Sequence, residues 1–283
     1  MAASAGYSAL MAARIRLWQG AAPPPAPALA EFTRLRRMDH KATAYQEMAA
    51  QNIACVNHHV YGDVRAALGA FLPRRFVLKP LRGHSSFGVY LIQRRADGSL
   101  FCRMHKRRFA DLDALAGEYE QRLGRARGGT MSKEVIIEDY IRDGFGFDVP
   151  LDYKVYAFAT GTPVVMQRYA PSHLPKEQWS FAFYDGQGRD LGAIRDRVRT
   201  NPDIPLQAPD NFDDILRSAQ QIVTAMHVSF ARVDLYAGRK KVLFGEITPL
   251  PNLGKESYIP EYDALLGRYW TESLEQLGIS YGL

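Results

Sequence analysis

A mixed fold, α/β or α+β, is predicted by two features of the chain. Short runs rich in β-branched and aromatic residues, such as FVLKP, GVYLI and EVIIEDYI, carry the signature of strands. Around them lie amphipathic stretches of helical period, the clearest from Asn211 to His227. Length sets a bound, since 283 residues make one large domain or two modest ones. The hydrophobic share of 47% and the charged share of 23% are ordinary globular values. They exclude a disordered chain, a collagen and a coiled coil. No apolar run reaches the ~18 residues that a membrane span requires. Cys55 and Cys102 are too few for a disulfide framework or a four-thiolate zinc site, so a reducing, cytoplasmic setting is expected.

Taken in order, residues 1–30 hold no acid and carry the run PPPAP at Pro23–Pro27. Proline lacks the amide N–H and resists helix continuation, so a short helix followed by an extended tether is expected. Arg14 and Arg16 follow the apolar stretch, where a secretory signal would place them before it. Glu31 to Ala70 has a helical pattern with few turn signals. FVLKP and GVYLI are strands flanking the loop Leu81–Gly88, and LFCRMH extends their sheet. Asp111 to Arg127 is a helix, with Asp111 as its N-cap and Gly128-Gly129 as its stop. Glu134 to Ile141 is a buried strand. DYKVYAFAT and PVVMQRYA form a hairpin about Gly161-Thr162. FARVDLY and KVLFGEIT are two further strands joined at Ala237–Lys240. Tyr262 to Leu277 closes the chain as a helix, and no internal repeat is present.

Charge is unevenly placed. Ten basic residues lie between Arg74 and Arg108 against the single acid Asp97, a segment of net +9 in a chain of net +6. Such a block is either a solvated basic surface or the seat of an anionic partner.

Two local patterns carry chemistry. In the last hairpin, strand alternation puts Arg232, Asp234 and Tyr236 on one face, and Phe244, Glu246 and Thr248 on one face of the partner. Asp234 and Glu246 then project side by side. Either Arg232 neutralises Asp234 on a solvated face, or a divalent cation sits between the carboxylates. The second pattern is Lys79-Pro80 followed by Arg82-Gly83-His84-Ser85-Ser86-Phe87-Gly88. Glycines admit positive φ and let successive amides point inward at an anion. The loop is neither a Walker A sequence nor a dinucleotide fingerprint, and a plain hairpin turn would read the same way.

The order of these pieces carries a resemblance. RMDHKA with Lys41, FVLKP-LRGHSSFG, EVIIEDYI, DYKVYAF and RVDLY…FGEIT follow one another as in the ATP-grasp superfamily. The chain resembles its TupA-like branch, associated with teichuronopeptide and other polymer assembly, over about Asp39 to Gly267. The resemblance implies an α+β fold in which two lobes clamp a nucleotide: a tail and linker at 1–38, an N-terminal lobe at 39–140 and a C-terminal lobe at 141–283. It implies ATP and Mg²⁺ as cofactors. Lys41 and Lys79 resemble the lysines on the ATP phosphates, and Gly83, His84, Ser85, Ser86 and Gly88 the lid over them. Glu138, Asp139, Tyr140 and Ile141 resemble the hinge that reads adenine, and Asp148 an acid near the ribose. Asp234 and Glu246 resemble the magnesium carboxylates. Arg232 resembles the arginine that steadies the acyl phosphate and tetrahedral intermediate. Lys154 and Arg168 resemble cations facing the γ-phosphate or a carboxylate substrate.

Two departures stand out. Relatives place a metal-binding Asn where this chain has Thr248, so either Thr248 or Asn252 completes the site. Only about forty residues precede Lys41, where many relatives carry a whole domain. The resemblance implies an ADP-forming ligase joining a carboxylate to an amine, with an anionic or peptidic substrate. A phosphotransferase acting on a sugar or alcohol would use the same ATP site. A nucleic-acid-binding protein using the Arg74–Arg108 block is the reading from another class, and it leaves Asp234 and Glu246 without a purpose. The remaining residues have plainer readings. His58-His59 face different ways as surface histidines, the cysteines are buried thiols, and Trp18, Trp179 and Trp270 pack.

Overall fold

The structure, a computed structural model, describes residues 5–20, 23–83, 87–125, 131–142, 144–196, 198, 200–238 and 241–282. Helices α1 (Tyr7–Trp18), α2 (Ala26–Met38) and α3 (Lys41–Ala50) come first. The chain then runs through β1 (His58–Tyr61), α4 (Val64–Gly69), β2 (Arg75–Pro80), β3 (Tyr90–Arg94), β4 (Leu100–Cys102) and β5 (Arg107–Phe109). Helix α5 (Leu112–Arg125) leads to β6 (Val135–Asp139). The second half holds β7 (Asp152–Phe158), β8 (Gly161–Tyr169), β9 (Ser180–Tyr184), α6 (Phe212–Met226), β10 (Phe230–Ala237), β11 (Val242–Thr248) and α7 (Pro260–Gln276).

The strands form two sheets, ordered β1-β6-β2-β3-β4-β5 and β11-β10-β7-β8-β9. Every named pairing is antiparallel. Antiparallel sheets with helices packed against them make the fold α+β. Helix α6 buries Ile215, Ala219, Ile222 and Val223 against the second sheet. Its alternation of apolar and charged positions at helical period is the pattern visible in the sequence. Asp111 caps α5 as expected, accepting from the Ala114 amide at 2.8 Å. The Gly128-Gly129 stop lies outside the described residues. No helix among the described residues is long and apolar enough to cross a membrane.

Several elements differ from expectation. The stretch read as a helix with a tether forms two helices, and α1 buries Tyr7, Leu10, Met11 and Leu17. Pro25 and Pro27 do not prevent this, because they flank the first turn of α2, where the missing N–H has no intrahelical partner to lose. The segment read as helical to Ala70 contains β1, whose residues HHVY lack an apolar alternation but pair with β6 through register Val60↔Ile136. Strands β5 and β9 were not foreseen. The first has only three residues, two of them exposed arginines.

Candidate functional site

The second sheet assembles a charged row. Asp234 on β10 pairs in register with Glu246 on β11 and with Lys154 on β7, so the three side chains share one face. Asp152 lies two residues before Lys154 on that face and pairs with Arg168 on β8. The Arg232 guanidinium donates to Asp234 through Nε at 2.7 Å and Nη2 at 3.0 Å, and to the Thr248 hydroxyl at 2.9 Å. Lys154 Nζ bridges Asp234 and, at 2.9 Å, Asp152, while Arg168 reaches Asp152 at 2.5 Å. Burial opposes ionisation of Asp152, but Lys154 and Arg168 outweigh it and hold the carboxyl well below the usual range. Burial likewise disfavours the charged Arg232, and Asp234 more than reverses this, raising it well above its ordinary value.

One expectation for this hairpin is corrected. Leu235 pairs with Phe244 and Asp234 with Glu246, so Gly245 is an extra residue, a β-bulge. The bulge moves Phe244 onto the face of Leu235, opposite Glu246. Glycine is required there by close approach: a Cβ would lie 2.8 Å from Tyr236 Cε2 and 3.1 Å from the Asp234 carbonyl oxygen.

The first sheet and α3 bring the opposing wall. Lys79 on β2 pairs with the buried Glu138 at 2.5 Å. The Tyr45 hydroxyl donates to the same Glu138 oxygen at 2.5 Å and lies 3.3 Å from the Gly245 carbonyl. Burial, then the Glu138 charge, pushes the Tyr45 phenol up, so it is held as a donor. Lys41 stands one turn before Tyr45 on α3. Its ammonium lies 3.3 Å from the Gly83 carbonyl and 3.5 Å from Glu246. In the loop between β2 and β3, Gly83 bridges to Met131, and Gly88, at φ +75°, would set a Cβ against the Met131 side chain and Pro80. His84, Ser85 and Ser86 lie outside the described residues.

Together these walls enclose a cleft of about 1110 Å³, counted with its open mouth. Lys41, Lys79 and Gly83 line it opposite Lys154, Arg168, Asp234 and Glu246. Glu138, Asp139 and Ile141 line it too, although the Glu138 side chain turns to Lys79 and the Asp139 amide donates to Asn57 at 3.0 Å. Apolar side chains of Val77, Leu91, Met104 and Val149 complete it. Arg232 and Thr248 stand behind Asp234, outside the lining. Tyr140 donates to the Asp148 carbonyl at 2.6 Å, and the Asp148 carboxylate is paired with Lys106 and Arg103 at the outer margin. Those bonds hold its carboxyl below the usual range, Lys106 first. Asn252 donates to the Lys255 carbonyl at 3.3 Å within its own turn. Cys55 is half-buried, and burial pushes its thiol up to about 11, away from nucleophile chemistry.

Tyr45 and the apolar wall were not picked out by sequence reasoning, and Asp152 was given no role of its own beside Lys154. Signals existed for two of them, since Tyr45 is i+4 from Lys41 on one helix face and Asp152 is i−2 from Lys154 on one strand face. Asp234 and Glu246 supply hard oxygen donors that fit Mg²⁺, which commonly takes one or two carboxylates beside substrate phosphates. Each is neutralised here by protein cations, Asp234 by Arg232 and Lys154 and Glu246 by Lys41. Among the described residues, no group of three or more His, Cys, Asp or Glu is gathered as a metal cluster.

The sequence matches the profile of a family described as TupA-like ATPgrasp over residues 31–271. No curated protein matches it. Among solved structures, the VanG D-Ala:D-Ser ligase from Enterococcus faecalis aligns at 16% identity and a TM-score of 0.50, covering 86% of this chain and 62% of that one. The D-alanyl-alanine synthetase A from Vibrio cholerae O1 biovar eltor aligns at 14% and 0.48, covering 84% and 65%. The chain thus spans less than two thirds of the length of either. At such identity the likeness to VanG shows the fold alone, which is the ATP-grasp fold.

Proposed function

Because the chain belongs to the TupA-like ATP-grasp family, we propose that it is an ATP-dependent, ADP-forming ligase that joins a carboxylate to an amine. The observation that supports this most is the register pair Asp234 and Glu246 facing Lys41 and Lys79 across one cleft. Two carboxylates and two lysines on opposite walls suit a metal-bound triphosphate. In this reading the N-terminal lobe comprises 39–140 and the C-terminal lobe 141–283, with the base against Val77, Leu91 and Ile141.

Such a reaction has two steps. A substrate carboxylate oxygen attacks the γ-phosphorus, forming an acyl phosphate and releasing ADP. An amine then attacks the carbonyl carbon and expels phosphate as the amine proton is lost. Phosphoryl transfer gives side chains little covalent work, so positioning and charge neutralisation are the protein's task. Lys41 and Lys79 would hold phosphate oxygens, with Glu138 and Tyr45 aiming Lys79. Lys154 and Arg168 line the cleft and would meet the transferred phosphoryl group or the substrate carboxylate. Arg232 touches Asp234 rather than the cleft, which supports a role in positioning that carboxylate. Held by Asp234 and Glu246, Mg²⁺ would supply neutralisation of phosphate charge; Thr248 accepts from Arg232 and lies outside the lining, which does not favour it as a ligand.

The test is ADP release with candidate acids, pooled amines and Mg²⁺. Glu246→Gln and Asp234→Asn are expected to lower turnover by a factor of about 10² or more, the usual size of losing one transition-state charge contact. Circular dichroism should show Glu246→Gln folded, since its side chain is 40% exposed. Near-normal ADP release by both variants would overturn the assignment.

A further inference from the structure

We propose that the N-terminal sheet carries, beyond the Val77 and Leu91 end of the cleft, a docking site for a carboxylate-rich peptide segment. The surface is the outward continuation of the cleft wall. Val77 gives way to Arg75 on β2, Leu91 to Gln93 on β3, and Ile141 to Arg142. Strands advance ~3.3 Å per residue, so Arg75 lies roughly 13 Å along β2 from Lys79, on the far side of Val77. These arginines are therefore not part of the phosphate site.

Positive charge here outweighs negative, five arginines against the single acid Asp97. One concavity is lined by Arg74, Arg75, Tyr140 and Arg142. A second shares Arg74 and adds Gln93, Arg95, Phe101, Arg103 and the acid Asp97, which pairs with Arg108 and also feels the Arg95 charge. The rest of the basic block is neutralised: Arg103 and Lys106 meet Asp148, Arg107 meets Glu118, and Arg108 meets Asp97. Among the described residues, Arg74, Arg75, Arg95 and Arg142 have no carboxylate within ion-pair distance; Asp143 lies outside them. Burial and then the neighbouring Arg142 and Arg103 charges lower the proton affinity of Arg75. Gathered like charges are unfavourable alone, and an arriving anion relieves them.

The form of the surface selects the anion. Single-stranded nucleic acid binds by stacking bases on open aromatic faces. Here both rings are already covered, Tyr140 by Arg75 at 5.9 Å and Phe101 by Arg95 at 4.8 Å from the ring centroids. Guanidinium forks set over a flat sheet instead match carboxylates, each taken bidentately. Tyr140 and Arg142 flank Ile141 of the cleft lining in the chain, so a bound segment would lie beside the cleft. This inference rests on the surface alone and not on the ligase reading.

The experiment is fluorescence anisotropy on the full chain with three labelled probes: an oligoglutamate peptide, an oligothymidylate of equal charge and an uncharged Gly-Ser peptide. Oligoglutamate is expected to bind without ATP, and to weaken as salt rises. Arg75→Ala and Arg142→Ala should each weaken it about tenfold, the scale of one charge-assisted contact. Arg217→Ala, on the remote helix α6, should leave it unchanged. Arg142 is exposed, so its variant keeps the test valid should Arg75→Ala fail to melt normally. Absent binding, equal binding by the Arg142→Ala variant, or a preference for oligothymidylate would each overturn the proposal.

Discussion

Lys79 sits 8% exposed in the cleft wall, where an unpartnered ammonium would be costly, and Glu138 and Tyr45 are what hold it there. The carboxylate takes the charge, and the phenol takes the carboxylate's second demand for a donor. Replacing Tyr45 with Phe keeps the ring and removes that donor. A buried hydrogen bond to a charged group is worth about 1.5–3 kcal/mol, so Tyr45→Phe should lower the melting temperature measurably. If the ligase reading holds, nucleotide affinity should fall as well, because Lys79 loses its fixed direction. Titration with a fluorescent ATP analogue separates the cases: wild-type binding with an unchanged Tyr45→Phe constant would show that the phenol does not position Lys79. The same logic explains why Asp152 matters. It holds Lys154 and Arg168 on one carboxylate and keeps both cations at the cleft surface.

At the scale of elements, β11 is shaped by its bulge. In a strand without the bulge Glu246 and Phe244 would share one face, and the acid would have a bulky apolar neighbour at its side. With it, Phe244 packs edge-on against Tyr45 at 5.8 Å and Glu246 faces the cleft. Gly245→Ala is expected to cost about 1–3 kcal/mol through overpacking against Tyr236 and the Asp234 carbonyl. If the ligase reading holds, it should also displace Glu246, weakening Mg²⁺-dependent nucleotide binding more than metal-free binding. A variant with wild-type melting and binding would refute that role. The pairing of β10 with β11 was legible because a short turn sets hairpin register. The bulge was not, since a period-2 reading has no place for an extra residue. Strands β1 and β5 escaped notice for another reason. HHVY lacks an apolar alternation and pairs with β6, distant in sequence, while RRF pairs with the nearby β4 but is only three residues long and led by two arginines.

The molecule as a whole is closed by its first helix. Arg14 is fully buried, donating to the Phe230 carbonyl at 2.9 Å, the Pro249 carbonyl at 3.2 Å and the Tyr281 hydroxyl at 2.7 Å. Glu31 completes the ion pair at 3.3 Å and accepts from the Ser229 amide at 2.6 Å. Arg14→Met would strand the Glu31 charge, at a cost of about 3–5 kcal/mol. The double variant with Glu31→Gln should recover part of that in thermal melts; equal loss in both would argue against an uncompensated charge as the cause. An alanine-rich, acid-free stretch gives no hint of this, because the partners of Arg14 other than Glu31 lie more than two hundred residues away. The cleft itself was legible residue by residue, as Lys41, Lys79, Lys154, Asp234 and Glu246 do converge. Its apolar wall became visible only once strand register put Val77 beside Leu91.

The same buried pair sets a clock on the birth of the protein. Glu31 and Tyr281 are 250 positions apart, and translation at about 5–20 residues per second puts roughly 12–50 s between them. Until the later residue leaves the ribosome, α1 and α2 have no finished place to bury Arg14 and Glu31. The segments made first are thus among the last to settle, and during that interval they are the natural clients of a chaperone.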